Sequence, residues 1–130
     1  MAGKSEKTKQ EIARLIETFN EDPDPLHYDV TPSVLRLMEL DLPGAAAVLD
    51  LLNSPELIVR RRAQRVLERI VARRFGWNSS QGYPDETSRE KALALMKENG
   101  DYSADATVER RKEAVVLWGK WLQEQQERKQ

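Results

Sequence analysis

The chain of 130 residues contains no cysteine. Disulfides, thiol nucleophiles and thiolate metal sites are therefore outside its chemistry. Histidine is almost as scarce: the one copy, His27, stands among Asp22, Asp24 and Asp29 in a stretch broken by Pro23 and Pro25. A metal needs three or four ligands in fixed geometry, and a calcium loop needs alternating oxygens around a central glycine that this stretch lacks, so no metal and no cofactor are expected. Long apolar runs are missing as well. Nothing approaches the roughly 18 uninterrupted residues of a membrane span. The first ten residues are polar and Lys-rich with no apolar segment behind them, unlike a secretory signal, so the expectation is a cytoplasmic protein with no membrane partner. In that compartment the sequon Asn78-Ser79-Ser80 is a coincidence. There is no excess of one charge: 21 basic residues face 22 acidic ones, for a net charge of -1. No global field draws the chain to nucleic acid or anionic lipid, and any basic site has to be local. Strand alternation, Gly-rich phosphate loops, nucleophile elbows and Ser-His-Asp spacings are all absent, so no catalytic constellation is read.

What remains is helical. With 39% hydrophobic and 33% charged residues, the composition suits amphipathic helices around one thin core, and 130 residues suit one domain. A first helix is read from residue 5 or 8 to residue 20, with a Thr8/Glu11 capping box and the stripe Ile12, Leu15, Ile16, Phe19. Thr31-Pro32 opens a second, with Val34, Leu35, Leu37 and Met38 buried, ending near Asp41. Leu42-Pro43-Gly44 reads as a brief break before an almost continuously apolar helix over 45–52. Ser54-Pro55 opens the longest helix, which runs to Phe75 and turns inward Leu57, Val59, Ala63, Val66, Leu67, Ile70 and Val71, with Gly76 as its left-handed cap. Residues 76–86 form a surface loop. A Thr87/Glu90 box opens a helix holding Ala92, Leu93, Leu95 and Met96 and closed by Gly100. Asp105 or Thr107 caps a last one carrying Val108, Ala114, Val115, Leu117, Trp118, Trp121 and Leu122. Residues 1–7 and 123–130 are expected to fray.

Leu51-Leu52-Asn53-Ser54-Pro55-Glu56, followed by Val59-Arg60, Ala63 and Leu67, resembles the junction of a HEAT repeat. There a first helix ends in paired leucines, turns through Asp or Asn with Pro, and enters a second helix marked by Val-Arg and a later Ala and Leu. The resemblance covers residues 42–75. It implies a short right-handed solenoid of five to six helices in αα-hairpins, one clear repeat flanked by degenerate or capping ones. It further implies that small residues such as Ala46 and Ala63 allow close helix approach, and that Arg60 bonds groups of the turn.

One pattern has functional colour. Arg61, Arg65, Arg69 and Arg73 stand four apart on one helix, a slowly rotating basic stripe bordered by Arg62 and Arg74. The stripe can track phosphates or an acidic protein face, or it is a solvated face neutralised by neighbouring acids such as Glu68. HEAT-like enzymes that handle alkylated DNA carry basic surfaces of this sort, joined to aromatic and carboxylate residues lining a cleft. Trp118 and Trp121 share a face and read as core anchors or as the seal on the open end of the solenoid, while Trp77 and Tyr83 lie in the loop, either packed beneath it or open for stacking. Partner-binding candidates are therefore Arg61, Arg65, Arg69, Arg73, Trp77 and Tyr83. The leading expectation is a non-catalytic protein-interaction module; a nucleic-acid binder using the arginines comes second, and a small enzyme third.

Overall fold

The computed structural model describes residues 2–19 and 31–129, with side chains described over 6–19 and 31–128. His27 and its acidic neighbours lie outside the described residues. Within them the chain is all-α, with six α-helices and no strand: α1 (Ala2–Glu17), α2 (Pro32–Leu40), α3 (Leu42–Val48), α4 (Leu57–Arg74), α5 (Glu86–Glu98) and α6 (Val108–Lys129). A 3-10 turn, Asp50–Asn53, follows α3. None of the described helices is long and apolar enough to cross a membrane. Helix reaches back to Ala2 and forward to Lys129, into both ends that were expected to fray.

Local chemistry explains most boundaries. The Thr31 hydroxyl accepts the Val34 N–H at 3.2 Å and Pro32 fills the first turn of α2, where its missing donor is no loss. At the end of α4, Gly76 takes φ 88°. The Trp77 N–H then reaches the Ala72 carbonyl and the Gly76 N–H the Arg73 carbonyl, a Schellman closure. Gly100 closes α5 in the same way, through Asp101 to Met96 and its own N–H to Lys97.

Three boundaries differ from the expected ones. The break before α3 falls at Asp41, which adopts φ 61°, so Leu42, Pro43 and Gly44 are helical rather than a turn. Ser54 does not cap α4: its hydroxyl accepts the Glu56 N–H in a local turn, and the helix starts at Leu57. α5 is capped by Asp85, whose carboxylate accepts the Ser88 N–H at 2.7 Å, rather than by Thr87. That bond, with a further one from the Ser88 side chain, holds the Asp85 carboxyl below its ordinary value. For α6, Thr107 is the cap, accepting the Arg110 N–H at 3.3 Å.

The core gathers around α4. Its Ala63, Val66, Leu67, Ile70 and Val71 are buried among Val34, Leu37 and Met38 of α2, Leu42, Ala45 and Val48 of α3, and Leu52. α6 lies across α3 and the 3-10 turn and adds Ala114, Trp118, Trp121 and Leu122 to the same core. The two tryptophans meet edge to face, 5.4 Å between centroids, an arrangement the ring quadrupoles favour. Other expected core positions are not buried: Leu35, Leu57, Leu93, Val108 and Leu117 are exposed, and so is Ala46. The small residues that let α2 and α3 touch are instead Gly44 and Ala45, both buried. Arg62 is also displaced from its expected place on the border of the basic stripe. It is 1% exposed, and one of its N–H groups donates to the Phe19 carbonyl at 2.7 Å, tying the end of the first helical segment to α4.

Candidate interaction site

The arginine stripe does not form one face. Four residues advance an α-helix by about 40° beyond a full turn, so the three steps from Arg61 to Arg73 swing the stripe through about 120°. The N-terminal pair faces the 103–105 loop. Arg61 stands 3.8 Å from the Asp105 carboxylate and Arg65 3.4 Å from that of Glu68, beside a shallow polar depression that includes Gln64 and Ser103. The C-terminal pair faces α2. Arg69 and Arg73 line a groove of about 300 Å³ with Leu35, Met38, Glu39 and Trp77.

Each group in this groove is positioned by an identifiable bond. The Arg69 guanidinium lies over the Trp77 ring at 4.3 Å, a cation–π contact that fixes the indole against α4 after the Schellman turn has brought it back. Arg73 donates to the Met38 carbonyl at 3.1 Å and so braces the C-terminal end of α2. Beside it, Arg74 bonds the Asp41 carboxylate at 2.7 Å. Glu39 is bound by Arg36 at 3.2 Å, and Arg36 is bound in turn by Glu11 at 2.6 Å. The hydrogen bond from Arg36 lowers the Glu11 carboxyl below its ordinary value.

Of the expected binding residues, then, Arg69, Arg73 and Trp77 come together; Arg61 and Arg65 stand apart from them. Tyr83 is half-buried against the core and does not line the groove. Burial pushes its phenol up, with Arg89 opposing. Leu35 is the groove residue the sequence concealed: its place in the α2 stripe suggested burial, yet it is 47% exposed.

A second concavity, of about 320 Å³, opens beneath α5, where Leu67 and Trp118 face Leu93, Met96 and Tyr102. Sequence reasoning missed it because its walls come from three helices.

Several polar residues that look available are consumed in joining the turn after the 3-10 segment to the 99–107 loop. Arg60 donates to the carbonyls of Ser54, at 2.8 Å, and Ala104, at 2.9 Å, so it does bond a turn group. The Gln64 amide accepts the Ala104 N–H at 3.0 Å and donates to the Tyr102 carbonyl at 3.4 Å. Arg111 bridges Asn53 and the Ala106 carbonyl. The Tyr102 hydroxyl donates to the Leu52 carbonyl at 2.5 Å, and burial pushes its pKa up to about 12 against the pull of Arg60 and Arg111. Among the described residues, no three His, Asp or Glu side chains are placed to share a metal ion.

No family model, no curated protein and no solved structure matches this chain.

Proposed function

We propose that the chain is a non-catalytic protein-interaction module of HEAT-like kind, working in the cytoplasm, and that its partner docks in the groove between α2 and the C-terminal half of α4. The observation that carries this reading is the exposure of Leu35 in the same concavity as Met38, Trp77, Arg69 and Arg73. Trp, Met and Arg are the side chains enriched at the energetic centres of interfaces. Holding Trp77 beneath Arg69 reduces the freedom that would be lost on binding. The HEAT-like part of the reading is supported by the 42–74 hairpin and by the bond from Arg60 to the turn carbonyl of Ser54.

Affinity capture from the native host tests the proposal, with retained protein read by mass spectrometry and retained nucleic acid by sequencing, in parallel for wild type, Leu35→Asp and Trp77→Ala. A protein lost from both variants and retained as salt rises supports the reading. Retention by both variants defeats it. Recovery of nucleic acid that falls steeply with salt would instead favour phosphate tracking by the arginines.

A further inference from the structure

We propose that Asn99 is a modification site: it deamidates spontaneously through the Asn99-Gly100 pair, at a rate set by opening of the turn that closes α5, and its carboxylate product keeps that turn open. The four asparagines of the chain precede Glu21, Ser54, Ser79 and Gly100. Glycine offers an attacking amide nitrogen no side-chain hindrance and the widest backbone freedom, so Asn99 is intrinsically the most reactive of the four. In the reaction the Gly100 nitrogen attacks Cγ of Asn99. The new N–Cγ bond replaces the Cγ–Nδ2 bond, and the proton of the attacking nitrogen leaves with the side-chain amide as ammonia. Water then opens the five-membered succinimide at Cγ, giving aspartate, or at the main-chain carbonyl carbon, giving isoaspartate with the backbone routed through Cγ.

The folded turn forbids the first step. A five-membered ring needs the Gly100 nitrogen on the same side of the Cα–C bond as Cβ, and at the ψ of 24° adopted by Asn99 it lies on the opposite side. Hydrogen bonds hold it there: the Asn99 N–H donates to the Leu95 carbonyl at 3.1 Å, the Gly100 N–H to that of Lys97 at 3.1 Å and the Asp101 N–H to that of Met96 at 3.2 Å. Reaction therefore waits for the turn to open, and the packing makes that opening local. On α5 only Ala92 is buried, Leu93 is 45% exposed, and the helix packs chiefly on α4. A helix so thinly covered opens at its end more readily than the core around α4 unfolds. Glycine is fixed at the second position of the pair, because Gly100 takes φ 98° and an added Cβ would stand 2.9 Å from Cα of Ala114 on α6. The product, in turn, does not suit the closed turn. Asn99 is 7% exposed, and its Nδ2 is enclosed without a hydrogen-bond partner. A carboxylate oxygen in that place is a buried charge with no donor, and isoaspartate lengthens the backbone between the bonded carbonyls and Asp101. The modified turn opens to bring the charge to water. The site is separate from the α2–α4 groove and does not depend on the function proposed for it.

The chain is incubated in mildly alkaline buffer, folded and in urea, and conversion at each asparagine is followed by peptide mapping with mass spectrometry, isoaspartate being counted by enzymatic methylation. Amide hydrogen exchange in the same buffer gives the protection of Asp101 and of Leu67 and Ile70 in the α4 core. When opening and closing are fast relative to the chemistry, conversion tracks the population of the open turn. Folding should therefore slow conversion at Asn99 by the protection factor of the Asp101 amide, to within about threefold, and by a factor at least about tenfold smaller than the protection of Leu67 and Ile70. The aged chain, separated from its parent by ion exchange, should show the Asp101 amide at least about tenfold less protected, with the α4 amides still slow. Asn99→Ala should not react and should keep Asp101 protected, since the lost amide nitrogen made no bond. The proposal is overturned if another asparagine converts first in urea, or if conversion in the folded chain is absent, equals the unfolded rate or follows the α4 amides. It is overturned equally if the aged chain protects Asp101 as its parent does, or if Asn99→Ala loses that protection.

Discussion

Gly44→Ala is expected to destabilise the fold, although alanine is the better helix former. Gly44 is buried in the first turn of α3, against the backbone of α2. A methyl group built there overlaps the Leu37 carbonyl oxygen and lies 2.8 Å from the carbonyl carbon and 3.2 Å from Cα of the same residue. These are backbone atoms, so no rotamer change relieves the contact. Carbon atoms pack at about 3.5–4.0 Å, so the two helices have to part by about 1 Å. The gap they open is the one now closed by Val34, Leu37 and Met38 on α2 and by Leu42, Ala45 and Val48 on α3, all buried. Overpacking against a rigid neighbour costs up to about 3 kcal/mol, and the helix propensity of alanine returns about 1 kcal/mol, leaving a net loss of about 2 kcal/mol. Gly119→Ala is the matched control. There the added methyl meets only a Leu49 methyl at 4.0 Å, an ordinary contact, and a gain of about 0.5–1 kcal/mol is expected. Urea unfolding followed by far-ultraviolet circular dichroism measures both. If the two alanines stabilise alike, α2 and α3 do not touch at Gly44 and the reasoning fails.

Gly44 also shows where sequence reading stops. A Pro-Gly pair between apolar segments is ordinarily a turn. Here Pro43 occupies a first-turn position where proline is at home, and glycine is needed for contact with a helix that periodicity cannot identify. The break itself passed to Asp41, whose φ of 61° with ψ of -123° is rare for a residue other than glycine and leaves no mark in the pattern. The buried arc of α4 was legible because a single stripe of 3.6-residue period fixes it. On α5 the same rule grouped Ala92, Leu93, Leu95 and Met96 but could not reveal how little would cover them: only Ala92 is buried, Leu93 is exposed, and Leu95 and Met96 are partly buried.

The arginines follow the same division. Their four-residue spacing was visible, and so in principle was its drift around the helix. The contacts that give each arginine its setting come from distant parts of the chain: Asp105 near Arg61, the Met38 carbonyl at Arg73, the Phe19 carbonyl at Arg62. Arg61 and Arg62 are adjacent in sequence, yet one side chain is 37% exposed and the other is buried, because Phe19, two residues past the end of α1, meets α4 at Arg62. A charge pattern on a helix states which residues are neighbours there; what other segments bring to them decides whether they bind a partner or hold the fold.

Ala63→Leu should destabilise by about 1–3 kcal/mol, since Ala63 is fully buried and has no space for three more carbons; an unchanged thermal midpoint would contradict it. Tyr102→Phe should lose about 1 kcal/mol with the bond to the Leu52 carbonyl. Because the folded phenol is raised to about 12 while the unfolded one titrates near 10, wild-type stability is complete below about pH 10 and declines as pH rises toward 12. The phenylalanine variant should lack that part of the alkaline loss, read from urea midpoints at about pH 9 and about pH 11. The last expectation concerns Arg62, the largest fully buried side chain among the described residues. A buried charge is expensive, so a methionine of similar length could stabilise if desolvation were the dominant effect. The bond to the Phe19 carbonyl opposes this: Arg62→Met leaves that acceptor without its donor and frees the end of the first helical segment, at an expected net cost of about 1–3 kcal/mol. Amide exchange in α1 should quicken in the variant more than exchange in α4, because the chain just past α1 loses its tie to α4 at Phe19, while contacts such as Glu11 with Arg36 of α2 remain. A methionine variant as stable as wild type, with α1 equally protected, would show that Arg62 is tolerated in the core rather than required there.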